Sequence, residues 1–290
     1  MRAATTTSRV SPKNRFAKCF AGSGLEERWA ALHKGDREPF PSAARVAALA
    51  KKNPAFGEWA AGHGAAKDIA AGVQEAWRRF HAGDFMGAIA AGGKLGALGA
   101  AAANKGAGIY SLQAQGEEPT RLLQAAIARG EAAVQSLPDE ANAHYMLALT
   151  LGRYSQRISI LQALANGMAT RVRTHLEAAL KLEPKHADAH IALGLYHAEI
   201  VAKMGSLLAG VTYQASGDAS LTHFQRALKL VPASPIAKIE YANGLLLLDA
   251  KRHREQADQL YTAAAACEPA DAMEQLDVER AQRCLHGPAP

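Results

Sequence analysis

Aromatic residues make up only 6% of this chain, and there are only three cysteines in 290 residues. Scarce aromatics beside abundant alanine argue against a β-sandwich and suit closely packed helices. Cys19, Cys267 and Cys284 are too few and too scattered for a disulfide framework, and no C-x-x-C occurs. Reduced thiols are therefore expected, in keeping with a cytoplasmic, bacterial-like setting. A run of about 18 strongly apolar residues free of charge is also missing, so no transmembrane segment is expected. The nearest approach, Ala82 to Ala103, contains Asp84 and Lys94 and is mostly Ala and Gly.

No acidic residue precedes Glu26, whereas Arg2, Arg9, Lys13, Arg15 and Lys18 do. Setting those five aside leaves 28 basic against 27 acidic residues, so the net charge of +6 belongs to a tail and the body is near neutral. Residues 1–23 read as a disordered basic tail, and no specific nucleic-acid partner is expected. Its acid-free Arg, Ser and Thr composition leaves organelle targeting open, although it has no apolar core for a secretory leader.

Signatures of catalysis are missing as well. There is no G-x-S-x-G, no H-E-x-x-H and no Cys–His pairing with local support. The run AGGKLGALG departs from a Walker A loop, with Ala88 in the first glycine slot and Leu95 in the hydroxyl slot. Small residues for close helix packing explain it better. Glu117-Glu118 and Asp139-Glu140 sit where helix ends favour acidic residues. Neither an enzyme nor a cofactor is expected.

What is present is repetition. Pro138, Pro184, Pro232 and Pro269 each follow an apolar helical stretch. Proline ends such a helix because it cannot donate the next backbone hydrogen bond. Before the last three prolines, Leu176 with Ala179, Phe224 with Ala227 and Tyr261 with Ala264 recur at matching positions. That spacing puts a large residue and an alanine on one helical face. After the first three, a second kind of helix carries a small residue at its centre, at Ala148, Gly194 and Gly244. The pattern is a repeated helix pair.

These segments resemble the tetratricopeptide repeat family, as do AWRRFHAGDFMGAIAAGGKLG, with its Gly83-Asp84-Phe85 turn and Ala88 contact, and the stretch from Ile109 to Pro138. The family repeat is 34 residues long, but Pro138 to Pro184 is 46 and Pro184 to Pro232 is 48. The extra residues, in YSQRISILQALANGMAT and HAEIVAKMGSLLAGVTYQASGD, are apolar with helical periodicity, so elongated helices are expected. The stretch MATRVRTHLEAALKLEPKHADAHIALG is similar to the tetratricopeptide-like domain of the regulator of microtubule dynamics family, and IEYANGLLLLD to bacterial repeat proteins. The fold these likenesses imply is all-α, a right-handed solenoid of antiparallel helix pairs in which two repeats have elongated helices.

The expected divisions are a basic tail at 1–23, an N-terminal helical region at 24–75, repeats at 76–270 and a capping helix with tail at 271–290. Asp271 is the expected N-cap of that last helix. Between 24 and 75, LEERWAALHKGD and PSAARVAALAKKNP read as short helices around Pro39 and Pro41, and a third helical region starts at Phe56.

His144 and His190 hold the same place in ANAHYMLAL and ADAHIALGL. A metal reading would add His186 and His197, but it lacks a ligand on the second helix, so repeat packing is preferred and no metal is expected. The resemblance implies a groove lined by first helices, which take partner segments. Its lining is Asn142, Tyr145, Leu149 and Arg153; Asp188, Ile191, Leu195 and Glu199; and Lys238, Tyr241 and Leu245. The Lys/Asn clamp slots of chaperone-binding members hold Tyr145 and Leu149, Ile191 and Leu195, and Tyr241 and Leu245, so a chaperone tail is not the expected occupant. A non-catalytic scaffold for a protein or peptide partner follows, with Tyr145 and Tyr241 as anchors. Alternatives are a ligand-binding component whose pocket the inserts enclose, and a repeat enzyme with cavity histidines. Self-association through the apolar inserts is a further expectation.

Overall fold

A computed structural model describes residues 16–286, and all of their regular structure is helical. After a 3-10 turn at Ala17–Phe20 come α1 (Gly24–Leu32), α2 (Ala43–Lys52), α3 (Pro54–Ala61), α4 (Ala66–His81), α5 (Phe85–Gly92), α6 (Gly96–Tyr110) and α7 (Glu118–Ser136). They are followed by α8 (Ala141–Ser155), α9 (Ile160–Ala165), α10 (Met168–Leu182), α11 (Ala187–Met204), α12 (Ser206–Tyr213), α13 (Gly217–Leu230), α14 (Pro235–Ala265) and α15 (Ala272–His286). Within the stretch expected as a basic tail at 1–23, Phe16 and Phe20 are buried in the core; residues 1–15 lie outside the described ones.

Successive pairs stack as a helical-repeat solenoid: α4 with α5, α6 with α7, α8 with α10, and α11 with α13. The last pair is the two arms of α14, divided at Asp249, whose extended backbone interrupts the helix. Asp249 Oδ1 accepts the Arg252 amide at 3.1 Å and so caps the second arm. Ser42, Asp84, Ser216, Ser234 and Asp271 cap their helices in the same way.

The small residues act where helices cross. A Cβ on Gly92 would stand 2.6 Å from the Gly99 carbonyl oxygen, and one on Gly99 2.2 Å from that of Gly92. The glycine run thus lets α5 and α6 touch backbone to backbone. Gly194 of α11 and Gly244 of α14 flank the buried Phe224 ring, with Cβ clearances of only 2.9 and 2.3 Å. Leu176, Ala179, Phe224, Ala227, Tyr261 and Ala264 are all buried, as the repeat pattern requires.

The inserted residues remain helical. α11 runs on to Met204, and the short helices α9 and α12 follow α8 and α11. At the N-terminal side the expected boundary at 75/76 falls inside α4, which packs in one core with α1 and α2. The third helical region is two helices, α3 and α4, parted at Gly62–Gly64, where Gly64 has φ +112°. Helix α15 does more than cap. His81 Nδ1 of α4 meets Asp271 Oδ2 at 2.6 Å, tying the start of α15 back to the first repeat.

Candidate functional site: a cavity along the first helices

A cavity of about 760 Å³ opens along the first helices of the pairs. α11 packs on α10, and the space beside α8 is left to the cavity. Its apolar wall comes from Ile109, Leu149, Val172, Leu176, Ile191 and Leu195, with Ile236 of α14 and Met273 of α15 beyond. Both inserts contribute: Ala163, Gly167 and Met168 from the first, Met204, Thr212 and Tyr213 from the second. The C-terminal end of α12 is held in place through the Tyr213 carbonyl, which accepts from Arg173 Nη1 at 2.8 Å and from the Tyr196 hydroxyl at 3.2 Å.

Of the groove residues expected from sequence, Tyr145, Leu149, Arg153, Asp188, Ile191, Leu195 and Glu199 do line this cavity. Four do not. Asn142 is buried below it, donating to Asp36 O at 2.9 Å and Glu38 Oε2 at 2.7 Å. Lys238 donates to the Pro232 carbonyl at 2.7 Å. Tyr241 is 5% exposed and stacks on Phe224 with ring centroids 5.2 Å apart, and Leu245 is buried beside it. Tyr241 is therefore a core residue and not an anchor: Gly194 and Gly244 admit Phe224 so closely that the tyrosine ring must complete its packing.

A polar base lies under the apolar wall. Lys105, 4% exposed, reaches Asp36 Oδ2 at 2.6 Å and Asp188 Oδ2 at 3.8 Å. Burial alone would lower its pKa, but the two carboxylates outweigh burial and raise it. Burial likewise pushes the Asp36 carboxyl up, yet Lys105 and His33, whose Nδ1 is 2.9 Å away, hold it well below the usual range. Asp188 is pushed to about 6, chiefly by burial. Burial, then Asp188 and Asp36, raise the Tyr145 hydroxyl well above its ordinary value. Asp277 is raised well above by burial, and its Oδ2 has no hydrogen-bond partner.

Lys105 could have been found in the sequence. It is the one charged residue of GALGAAAANKGAGIY, and a helix apolar on every side is buried, so its lysine needs a carboxylate. The identity of that carboxylate, 69 residues away in a loop, has no local signal.

Glu38 stands near this base. Burial and the Asp36 charge raise it from 4.5 to about 8, so the folded protein holds a proton that the unfolded chain releases near 4.5. This costs stability increasingly as pH rises from 4.5 to 8. Glu38→Gln is therefore expected to gain more stability, relative to wild type, at pH 8 than at pH 5 in urea unfolding. Equal changes at the two pH values would contradict it.

The four histidines weighed from sequence, His144, His186, His190 and His197, do not converge on one another. His186 caps α11, accepting the Ala189 amide on Nδ1 at 3.0 Å and meeting Asn142 Oδ1 through Nε2 at 2.9 Å. Burial lowers its pKa to about 4, consistent with a neutral ring protonated on Nε2. His190 faces His223, and His197 stacks on His223. Among the described residues no group of three or more His, Cys, Asp or Glu could hold a metal ion.

No described helix is long and apolar enough to cross a membrane. None of the curated proteins compared with the chain matches it. Among solved structures, a thermophilic TPR protein of Thermus thermophilus is similar in fold, with a TM-score of 0.54 at 14% identity over 74% of this chain and 98% of that one. The family model described as regulator of microtubule dynamics protein 1-3 matches residues 100–286, from the helix carrying Lys105 to the end of α15. A match over that much of the sequence makes this chain a member of the regulator of microtubule dynamics protein 1-3 family, built on a tetratricopeptide-like solenoid.

Proposed function

We propose that this protein is a non-catalytic binding module that takes an apolar segment of a partner protein into the cavity along its first helices. The observation that carries this reading is the wall itself: α8 and α11 supply Leu149, Ile191 and Leu195, and residues of both inserts add to the lining. Burial of apolar surface supplies the attraction. Tyr145 is the anchor at the base, and Arg153, whose Nε is buried without a hydrogen-bond partner, orients a polar group of the partner.

Ala192 lines the cavity on α11 and is only partly buried. Ala192→Trp is expected to fill the space and abolish partner recovery while leaving the far-UV circular dichroism unchanged. Quantitative affinity purification from cells checks this, and equal recovery by the variant would contradict it.

One observation favours a second reading, an apolar small molecule as the occupant. The volume lies in the range of about 300–1,000 Å³ typical of ligand pockets, and residues of both inserts help line it. Native mass spectrometry of the purified chain separates the two readings by the mass of what remains bound. Self-association through the inserts is supported by α12, where Leu207 is 84% and Val211 78% exposed. A constant monomer mass in light scattering across concentrations would contradict it.

A further inference from the structure

Two pairs of histidines recur, outside the cavity lining, at equivalent places in successive repeats. His144 of α8 faces His175 of α10 with Nδ1 atoms 3.1 Å apart, ring centroids 5.4 Å apart and planes at 34°. His190 of α11 faces His223 of α13 with the corresponding values 2.8 Å, 5.1 Å and 38°. In both, Nε2 of the first ring meets the carbonyl of the proline ending the preceding repeat, Pro138 O at 3.0 Å and Pro184 O at 3.3 Å. A carbonyl only accepts, so Nε2 of that ring carries the proton and its Nδ1 lone pair points at the second ring.

The proline carbonyl engages only Nε2 of the first ring of each pair; its free Nδ1 meets Nδ1 of the second ring at hydrogen-bond distance. The third repeat separates the two roles. There Lys238 takes the first position and donates to the Pro232 carbonyl at 2.7 Å. Leu260 stands in the second, just before Tyr261, as His175 stands before Leu176 and His223 before Phe224. Where the first histidine is lost, the second is lost with it.

We propose that His144 with His175, and His190 with His223, form two bidentate sites for a divalent transition-metal ion of the class that imidazole nitrogen binds, such as Ni²⁺ or Zn²⁺. Two metal–nitrogen bonds of about 2.0–2.1 Å place the ligands about 2.9 Å apart at a right angle and about 3.3 Å apart at a tetrahedral one. The two observed separations lie at this scale. Ligating histidines usually donate their other ring N–H to a carbonyl, as His144 and His190 do. All four side chains are half-buried, so an ion can enter and water completes its coordination. With no third protein ligand in a group among the described residues, these are exchangeable sites.

The test is calorimetric titration of the tag-free full chain with Ni²⁺ and, separately, Zn²⁺. The expected result is two equivalents bound, one lost in His175→Ala, one lost in His223→Ala and both lost in the double variant. His144→Gln and His190→Gln, which replace the other member of each pair, repeat the measurement should either alanine variant fail to fold, as judged by circular dichroism without metal. Imidazole nitrogen shifts in NMR supply a second readout, moving at the four paired histidines and not at His63 or His253. No saturable binding, or full binding by the double variant, would overturn the proposal and leave each contact as a hydrogen bond between neutral rings.

Discussion

Phe224→Ala is expected to destabilise the C-terminal half by about 3–5 kcal/mol, the cost of emptying a fully buried aromatic site. The ring has no exposed surface and lies between Gly194 of α11 and Gly244 of α14, stacked on Tyr241. Glycines cannot fill the void, because they have no side chain to move into it. The converse change, Gly244→Ala, puts a Cβ 2.3 Å from the Phe224 ring. Overpacking of that kind costs about 1–3 kcal/mol, against about 1 kcal/mol gained in helix propensity, so a net loss is expected. Urea unfolding followed by circular dichroism measures both. A Phe224→Ala variant as stable as wild type would mean that α11, α13 and α14 do not pack through this ring.

The second large effect lies at the cavity base. Lys105→Met leaves Asp36, 1% exposed, without its ammonium partner. Breaking a buried pair from one side costs about 3–5 kcal/mol. Removing both charges in Lys105→Met/Asp36→Asn is expected to recover much of that loss. The pH dependence has a definite sign. In wild type the depressed Asp36 carboxyl contributes stability at neutral pH that is lost as pH falls through its folded pKa. Without Lys105 its pKa rises by burial, and proton uptake relieves the strain, so the deficit of the variant shrinks from pH 7 to pH 4. A deficit that grows on acidification would contradict this assignment.

The repeat architecture was readable because it is written locally. Proline spacing, the recurring alanines and the central small residues each follow from backbone geometry within one helix pair. Seven of the eleven groove residues face the cavity for the same reason: helical periodicity fixes their side of α8 and α11. The misplaced residues show where local reasoning stops. Tyr241 stands three residues before Gly244 as Tyr145 stands three before Ala148, yet it lies two places further along its helix from the repeat proline, where Phe224 from the neighbouring pair reaches it and makes it core. Only the third dimension decides that.

The same holds for the contacts that join distant parts of the chain. His81 finds Asp271 across 190 residues, and Lys105 finds Asp36 across 69. Such pairs leave no periodic trace. His144 and His190 were legible as marks of a repeat, and they do hold the proline carbonyls. Their partners His175 and His223 share the phrase Thr-His in equivalent second helices, a signal that appears only when those helices are aligned.

Site-specific photocross-linking in cells tests the central claim most directly. A cross-linking amino acid replaces Leu195 inside the cavity or, as control, exposed Lys229 on α13. A partner held along the first helices gives a discrete adduct from position 195 and none from 229. Adducts from 229 alone, with position 195 silent, would place the binding surface elsewhere and contradict the account.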